Sequence, residues 1–128
     1  MEGVFDDDVH RFLLNQVDSV PQMEALLLLW ETRPRRWTPD ELCGRLYIDS
    51  ETLEAMMGRL VQRRLLNTVD GGAAAYFYEP GSAERDRLLE AVCVGYRKNL
   101  VLATTIIHSK ASLSVREFAR AFKLRKDF

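Results

Sequence analysis

The sequence predicts a mainly α-helical fold, a winged helix-turn-helix with a small β-hairpin wing and a C-terminal helical extension. A helix-turn-helix pattern runs over residues 38–64, two short strands separated by a turn follow, and a proline-free apolar stripe covers residues 83–108. We therefore expect residues 1–80 to form a winged-helix domain with an N-terminal helix. Residues 81–128 then supply a long helix and a short amphipathic helix, for dimerisation or for packing on the core.

The composition is that of one ordinary folded domain. The chain has 128 residues, of which 47% are hydrophobic and 29% charged, and its net charge is −1. This near-neutral balance excludes a generic polyanion binder. The charge is unevenly spread, because residues 1–18 contain five acids and one base whereas residues 111–128 contain two acids and five bases.

The sequence predicts a cytoplasmic protein without a membrane partner. It has no basic segment followed by an apolar run, so no signal peptide is expected. The longest apolar stretch, Ala25 to Trp30, is far too short to span a bilayer. Cys43 and Cys93 lack C-x-x-C spacing, so neither a disulfide framework nor a zinc site is indicated.

Two amphipathic helices are predicted before the helix-turn-helix. The first follows Asp6-Asp7-Asp8, whose carboxylates stabilise a helix N-terminus, although an acidic partner-binding motif remains an alternative. The second begins at Ser19, which has Gln22 at the spacing of a capping box. Their inward positions are Val9, Phe12, Leu13 and Val17, and then Met23, Leu26, Leu27 and Trp30.

The helix-turn-helix has its own start and stop signals. Thr38 to Glu41 is a second capping box with Pro39 at the first helical position. Ile48-Asp49-Ser50 turns into a second helix, Glu51 to Arg64. Its inward stripe is Leu53, Met56 or Met57, Leu60 and Val61, and its outward positions are Ser50, Glu51, Glu54, Ala55 and Gly58. Trp37 is expected to fill the core beneath the preceding loop.

The hairpin and the helical extension complete the predicted fold. Leu65-Leu66 begins one strand and Tyr76-Phe77-Tyr78 forms the other, with the turn at Asp70-Gly71. From 83 to 108 the stripe extends over one long helix, which Gly95 could bend or split. A third capping box at Ser114 opens a short helix with a basic side. A long helix in so small a domain favours packing against a second copy of the chain.

The chain at this point resembles the bacterial winged-helix transcription regulators of the multiple-antibiotic-resistance-regulator (MarR) type. The resemblance covers roughly residues 19–80 and consists mostly of core and capping positions. The matching residues are Thr38, Glu41, Leu42, Leu46, Ile48, Ser50, Thr52, Leu53, Arg59, Leu60, Leu65 and Leu66. It implies a dimeric DNA-binding regulator whose second motif helix lies in the major groove.

Two hypotheses for function follow. In the first, the protein binds DNA as a dimer, with Ser50, Thr52 and Arg59 at the groove and Arg35 and Arg36 on phosphates. In the second, the winged helix has lost DNA readout and binds a protein partner. The second hypothesis rests on charge, because carboxylates on the motif helix repel phosphates. Its candidate contacts are Glu51 and Glu54, or the basic residues Arg116, Arg120 and Lys123.

No residues indicate an enzyme, a metal site or a cofactor. His10 and His108 have no further ligand at metal-binding spacing, and Gly71-Gly72 lacks the pattern of a phosphate-binding loop. The apolar neighbours of Cys43 and Cys93 favour inert buried thiols over oxidant sensors. The amphipathic C-terminal helix is expected to dock on the protein itself, with a membrane surface or an acidic partner as the alternative.

Overall fold

The computed structural model describes residues 5–69 and 74–109. The elements are α1 (Asp7–Asn15), α2 (Val20–Glu31), α3 (Pro39–Leu46), α4 (Ser50–Gln62), β1 (Leu66–Val69), β2 (Ala75–Tyr78) and α5 (Ala83–Lys98). Residues 100–109 are helical as well. The fold is mainly helical with a two-stranded antiparallel hairpin after the helix-turn-helix, as predicted from the sequence.

Each of the five named helices starts at a side chain that accepts a hydrogen bond from a backbone N–H three residues further on. These N-caps are Asp6, Ser19, Thr38, Asp49 and Ser82. The capping box at Thr38 is complete, because Glu41 also accepts from the Thr38 N–H at 2.9 Å. These side chains explain why α3 and α4 begin where the sequence places them.

The predicted capping box at Ser19 is only half formed. Ser19 Oγ accepts from the backbone N–H of Gln22, but the side-chain oxygen Oε1 of Gln22 accepts from the N–H of Asp18 at 2.7 Å. Gln22 is 1% exposed and its amide nitrogen lies 3.5 Å from the Met56 carbonyl of α4. The side chain is therefore part of the contact between α2 and α4, which local spacing could not indicate.

Helix α2 is the centre of the fold. Its buried apolar residues surround most of the helix and are Met23, Ala25, Leu26, Leu27, Leu28, Leu29 and Trp30. A helix that is apolar on nearly every side belongs in the interior. Helices α3 and α4 and strand β2 pack on α2, while α1 packs on α5. This arrangement holds α4 at the surface with one face on the core.

The wing is anchored to the loop before α3. Strands β1 and β2 pair from Leu66–Tyr78 to Val69–Ala75. Trp37 and Tyr76 exchange both of their backbone hydrogen bonds at 2.8 Å, so Trp37 adds a short third pairing to the edge of β2. The Trp37 indole is buried and donates to the Thr32 hydroxyl at 2.9 Å, which confirms its predicted place in the core. The predicted turn at Asp70-Gly71 lies outside the described residues.

The stripe from 83 to 108 forms two helical segments, separated at Asn99. Gly95 is not the break, since it lies inside α5, where a Cβ would come 3.1 Å from the Phe5 ring. Its lack of a side chain lets that ring approach. Leu100, which belongs to the apolar stripe of this segment, is 49% exposed. Within the described ranges, no helix has the length and apolar character to cross a membrane.

Candidate nucleic-acid interface

The outward face of α4 is exposed and acidic at its start. Asp49, the N-cap, accepts the Thr52 N–H at 2.8 Å, and the hydrogen bonds from Thr52 lower the pKa of this carboxyl. Two further carboxylates, Glu51 and Glu54, follow on the same exposed surface. The residues predicted to face outward are all exposed, namely Ser50, Glu51, Glu54, Ala55 and Gly58. The first turns of α4 therefore present three carboxylates to solvent.

The two predicted hydroxyl contacts, Ser50 and Thr52, lie in the first turn of α4 and are exposed. The Thr52 backbone N–H is used by the Asp49 cap. Hydroxyl groups in this position can donate to a base edge or to a phosphate oxygen. They are flanked by Asp49 and Glu51, so any nucleic acid that approaches them meets negative charge first.

Arg59 lies on the same face but is held by a carboxylate from another part of the chain. Its guanidinium forms an ion pair with Asp18 at 3.1 Å, and Arg63 reaches the other oxygen of Asp18 at 3.1 Å. Arg63 also donates to the Gln16 carbonyl at 2.7 Å. We name Asp18, Arg59 and Arg63 the Asp18 clamp. It fixes the second half of α4 to the loop between α1 and α2.

Arg35 and Arg36, the predicted phosphate contacts, point to different parts of the motif. The Arg35 guanidinium lies 3.6 Å from the centre of the Trp37 ring and pairs with Glu41 of α3 at 2.9 Å. The Arg36 guanidinium lies 5.3 Å from the centre of the Phe77 ring on β2. The loop thus places one exposed cation beside α3 and one beside the wing.

The carboxylates of α4 lie near two different neighbours. The pKa of Tyr76 on β2 is raised by burial and by the negative charge of Glu54, which places Glu54 near the wing. Glu51 lines an open groove between the start of α2 and α4, with Asp18, Gln22, Thr52 and Arg59 among the other lining residues. The groove is therefore bordered by negatively and positively charged side chains.

Two exposed residues near the start of α4 were not singled out from the sequence. Arg45 lies in the last turn of α3, where a cation suits the negative end of the helix dipole. Tyr47 follows α3 with φ 58° and is 91% exposed. The spacing between Leu46 and Asp49 could have indicated these residues. It leaves only two residues to turn the chain between two helices, so a residue there is forced into an unusual backbone conformation and an exposed position.

The other predicted chemistry falls outside this surface. Burial raises the pKa of the Cys93 thiol to about 12, with a smaller contribution from Glu31, which disfavours the reactive thiolate form. Cys43 is half-buried on α3. In the part of the chain that the structure describes, no group of three His, Cys, Asp or Glu residues could hold a metal ion. The alternative partner contacts Arg116, Arg120 and Lys123 lie outside the described residues.

Comparison with solved structures defines the class of fold. The chain is similar to the transcriptional regulator PA3341, with 18% identity over 94% of this chain and 89% of that one and a TM-score of 0.53. It is also similar to the transcriptional regulator Tm0710 from Thermotoga maritima, with 17% identity over 94% and 84% and a TM-score of 0.52. The adhesin competence repressor AdcR from Streptococcus pyogenes matches with 15% identity over 95% and 92% and a TM-score of 0.51.

These likenesses confirm the fold that the sequence predicted, that of MarR-like winged-helix transcription regulators. At these identities they establish the architecture alone. No protein-family model matches the sequence, and no curated protein matches it. The proposed function therefore rests on the surface of α4 and its surroundings.

Proposed function

We propose that this protein is a small cytoplasmic transcription regulator that binds DNA as a homodimer, with α4 in the major groove. The observation that supports this most directly is the presentation of α4. One side of the helix is packed on the core and the other is exposed between the groove at α2 and the wing. That is the geometry in which a helix-turn-helix motif reads DNA.

The proposed DNA contacts divide into positioning and reading residues. Arg35 and Arg36 contact phosphates on either side of the groove, because they are exposed and lie beside α3 and the wing. Ser50, Thr52 and Arg59 contact base edges or nearby phosphates. Arg59 must exchange Asp18 for DNA, and that exchange lowers the net gain from its positive charge.

The homodimer is proposed from the helical extension. Leu100 and Val101 are exposed large apolar residues in the segment 100–109, with Val101 at 78% exposure. A second copy of the chain would cover them. Two copies also bring two sets of Arg35 and Arg36 to one DNA duplex, so phosphates can be contacted at two half-sites.

The test is a fluorescence-anisotropy titration of the protein with pooled genomic DNA fragments at low and moderate salt. Arg35→Ala combined with Arg36→Ala should weaken binding and flatten the salt dependence, with the slope falling by about 0.9 for each phosphate that is no longer neutralised. Arg11→Ala with Arg87→Ala is the matched control, since it removes two exposed positive charges from α1 and α5. Equal effects of the two double variants would reject the proposed phosphate contacts. Absence of binding at low salt would reject the regulator itself.

A protein-interaction module is the second candidate, and the acidic surface of α4 favours it. Among the ion pairs of the described residues, none involves Glu51 or Glu54, so both carboxylates remain accessible to a basic partner. A pull-down with the full chain tests this candidate. Glu51→Lys with Glu54→Lys should abolish capture of a basic partner and leave the fold intact. Capture that persists after charge reversal would exclude this surface.

A further inference from the structure

Tyr47 caps the C-terminus of α3 in a backbone conformation that is unfavourable for residues other than glycine. Its φ and ψ are 58° and 46°, in the left-handed region. The Tyr47 N–H donates to the Cys43 carbonyl, and the next N–H, that of Ile48, donates to the same oxygen at 3.3 Å. Glycine is the usual residue at this place because it has no Cβ to crowd the following carbonyl. Tyrosine therefore carries a conformational cost here.

The Tyr47 side chain gains no packing that would offset this cost. It is 91% exposed, the highest value among the exposed large hydrophobic residues of the described chain. The other tyrosines with a described position, Tyr76, Tyr78 and Tyr96, are half-buried or buried. The exposed aromatic ring is therefore available for a contact made outside the folded chain.

The position of Tyr47, beside the start of α4, favours a contact with DNA. It lies two residues after the exposed Arg45 and two residues before Asp49, the N-cap of α4. When α4 lies in the major groove, the turn that precedes it is close to the phosphate backbone at the edge of the groove. A phenol is a neutral hydrogen-bond donor, so it can approach a phosphate where the carboxylates of α4 cannot.

We propose that Tyr47 is a positioning residue for DNA, whose hydroxyl donates to a phosphate oxygen beside the start of α4. Its ring packs against the adjoining sugar, and Arg45 supplies the nearest positive charge on α3. This inference rests on the proposed DNA-binding function. It concerns the orientation of α4 on the duplex and not the reading of bases.

The experiment compares wild type, Tyr47→Gly and Tyr47→Phe as full-length proteins. Each is titrated with the pooled DNA fragments by fluorescence anisotropy at several salt concentrations, and thermal unfolding is measured in parallel. Tyr47→Gly should raise the melting temperature, because it relieves the left-handed conformation, and should weaken DNA binding by about tenfold. Tyr47→Phe should leave the melting temperature unchanged and also weaken binding. Neither should change the salt slope, since no charge is removed.

Arg64 supplies a matched control for the backbone effect. It follows α4 with φ 61° and is also exposed. Arg64→Gly should therefore raise the melting temperature in the same way as Tyr47→Gly. A rise in both variants confirms that each wild-type residue is strained, and the loss of DNA affinity in Tyr47→Phe then reports on the hydroxyl alone.

Three results would overturn the inference. If wild type binds DNA and both Tyr47 variants bind equally well, Tyr47 makes no contact, and only this inference fails. If Tyr47→Gly unfolds at a lower temperature, the side chain stabilises the fold. If wild type binds no DNA at low salt, the proposed function and this inference fail together.

Discussion

The two faces of α4 differ in their contacts with the rest of the chain and in how well they could be predicted from the sequence. On the inward face Leu53, Met57 and Leu60 are at most 1% exposed. On the outward face Glu51 and Glu54 are exposed and lie in no ion pair within the described residues. The inward face contributes to the fold, whereas the outward face is left exposed for the contact that we propose. A helix can therefore keep the winged-helix architecture while the charge on its outward face changes.

The largest expected effect is a loss of stability on the inward face. Leu60→Ala removes a fully buried side chain where α4 packs on the core, so the free energy of unfolding should fall by about 2–5 kcal/mol. Urea denaturation followed by circular dichroism measures this as a lower midpoint with an unchanged slope.

The matched variant on the outward face is Glu54→Ala. Glu54 is exposed, so the free energy of unfolding should change by no more than about 0.5 kcal/mol. The comparison fails if both variants are destabilised to the same extent. In that case the outward face would also be contributing to the fold.

The next largest effect is expected at the Asp18 clamp. The clamp joins the second half of α4, between its inward and outward faces, to the α1–α2 loop. Asp18→Ala leaves Arg59 and Arg63 without their shared acceptor, and the Arg63 side chain is only 27% exposed. We expect a loss of about 1–2 kcal/mol in the free energy of unfolding, since the pair is partly screened by solvent.

Arg11→Ala is the control for the clamp. Arg11 pairs with Asp8 at 3.8 Å, but both side chains are more than two-thirds exposed. Such pairs contribute little, so this variant should stay within about 0.5 kcal/mol of wild type. If Asp18→Ala has the same midpoint of urea denaturation as wild type, the clamp does not hold α4 in solution.

The inward face, the wing and the helix starts could be predicted from the sequence because their signals are local. Leu53 and Leu60 repeat at the helical period, Thr38 and Glu41 have the spacing of a capping box, and a turn signal separates the two strands. The fold class followed from these patterns. The DNA-contact residues stay predictions, because a fold does not specify what its surface binds.

The features that the sequence did not reveal depend on contacts between distant residues. Arg59 meets Asp18 across 41 positions, and Gln22 reaches the Met56 carbonyl across 34. Gly95 is a residue at which the long helix could bend or split, but its missing side chain serves a contact with Phe5, and the helix ends at Asn99 instead. Each case needs the tertiary arrangement, which no local pattern encodes.

The smallest expected effect is a pH dependence that originates at the N-cap of α4. Hydrogen bonds from Thr52 lower the pKa of Asp49 in the folded protein. A carboxyl with a lower pKa when folded stabilises the native state above its ordinary pKa of about 4, and that stabilisation is lost as the pH falls through the folded value. Stability should therefore decrease on acidification below about pH 4.

Asp49→Asn isolates this contribution, because asparagine is an equally good N-cap and does not titrate. The midpoint of urea denaturation is measured for both proteins from about pH 6 to pH 2, a range that spans the carboxyl pKa values. The advantage of wild type over Asp49→Asn should shrink as the pH falls. Glu41, whose pKa is lowered chiefly by the Thr38 N–H, titrates in both proteins and cancels in the difference. If the two midpoints change in parallel with pH, the charge of Asp49 contributes nothing to stability. The outward face would then begin at a cap that a neutral residue could replace.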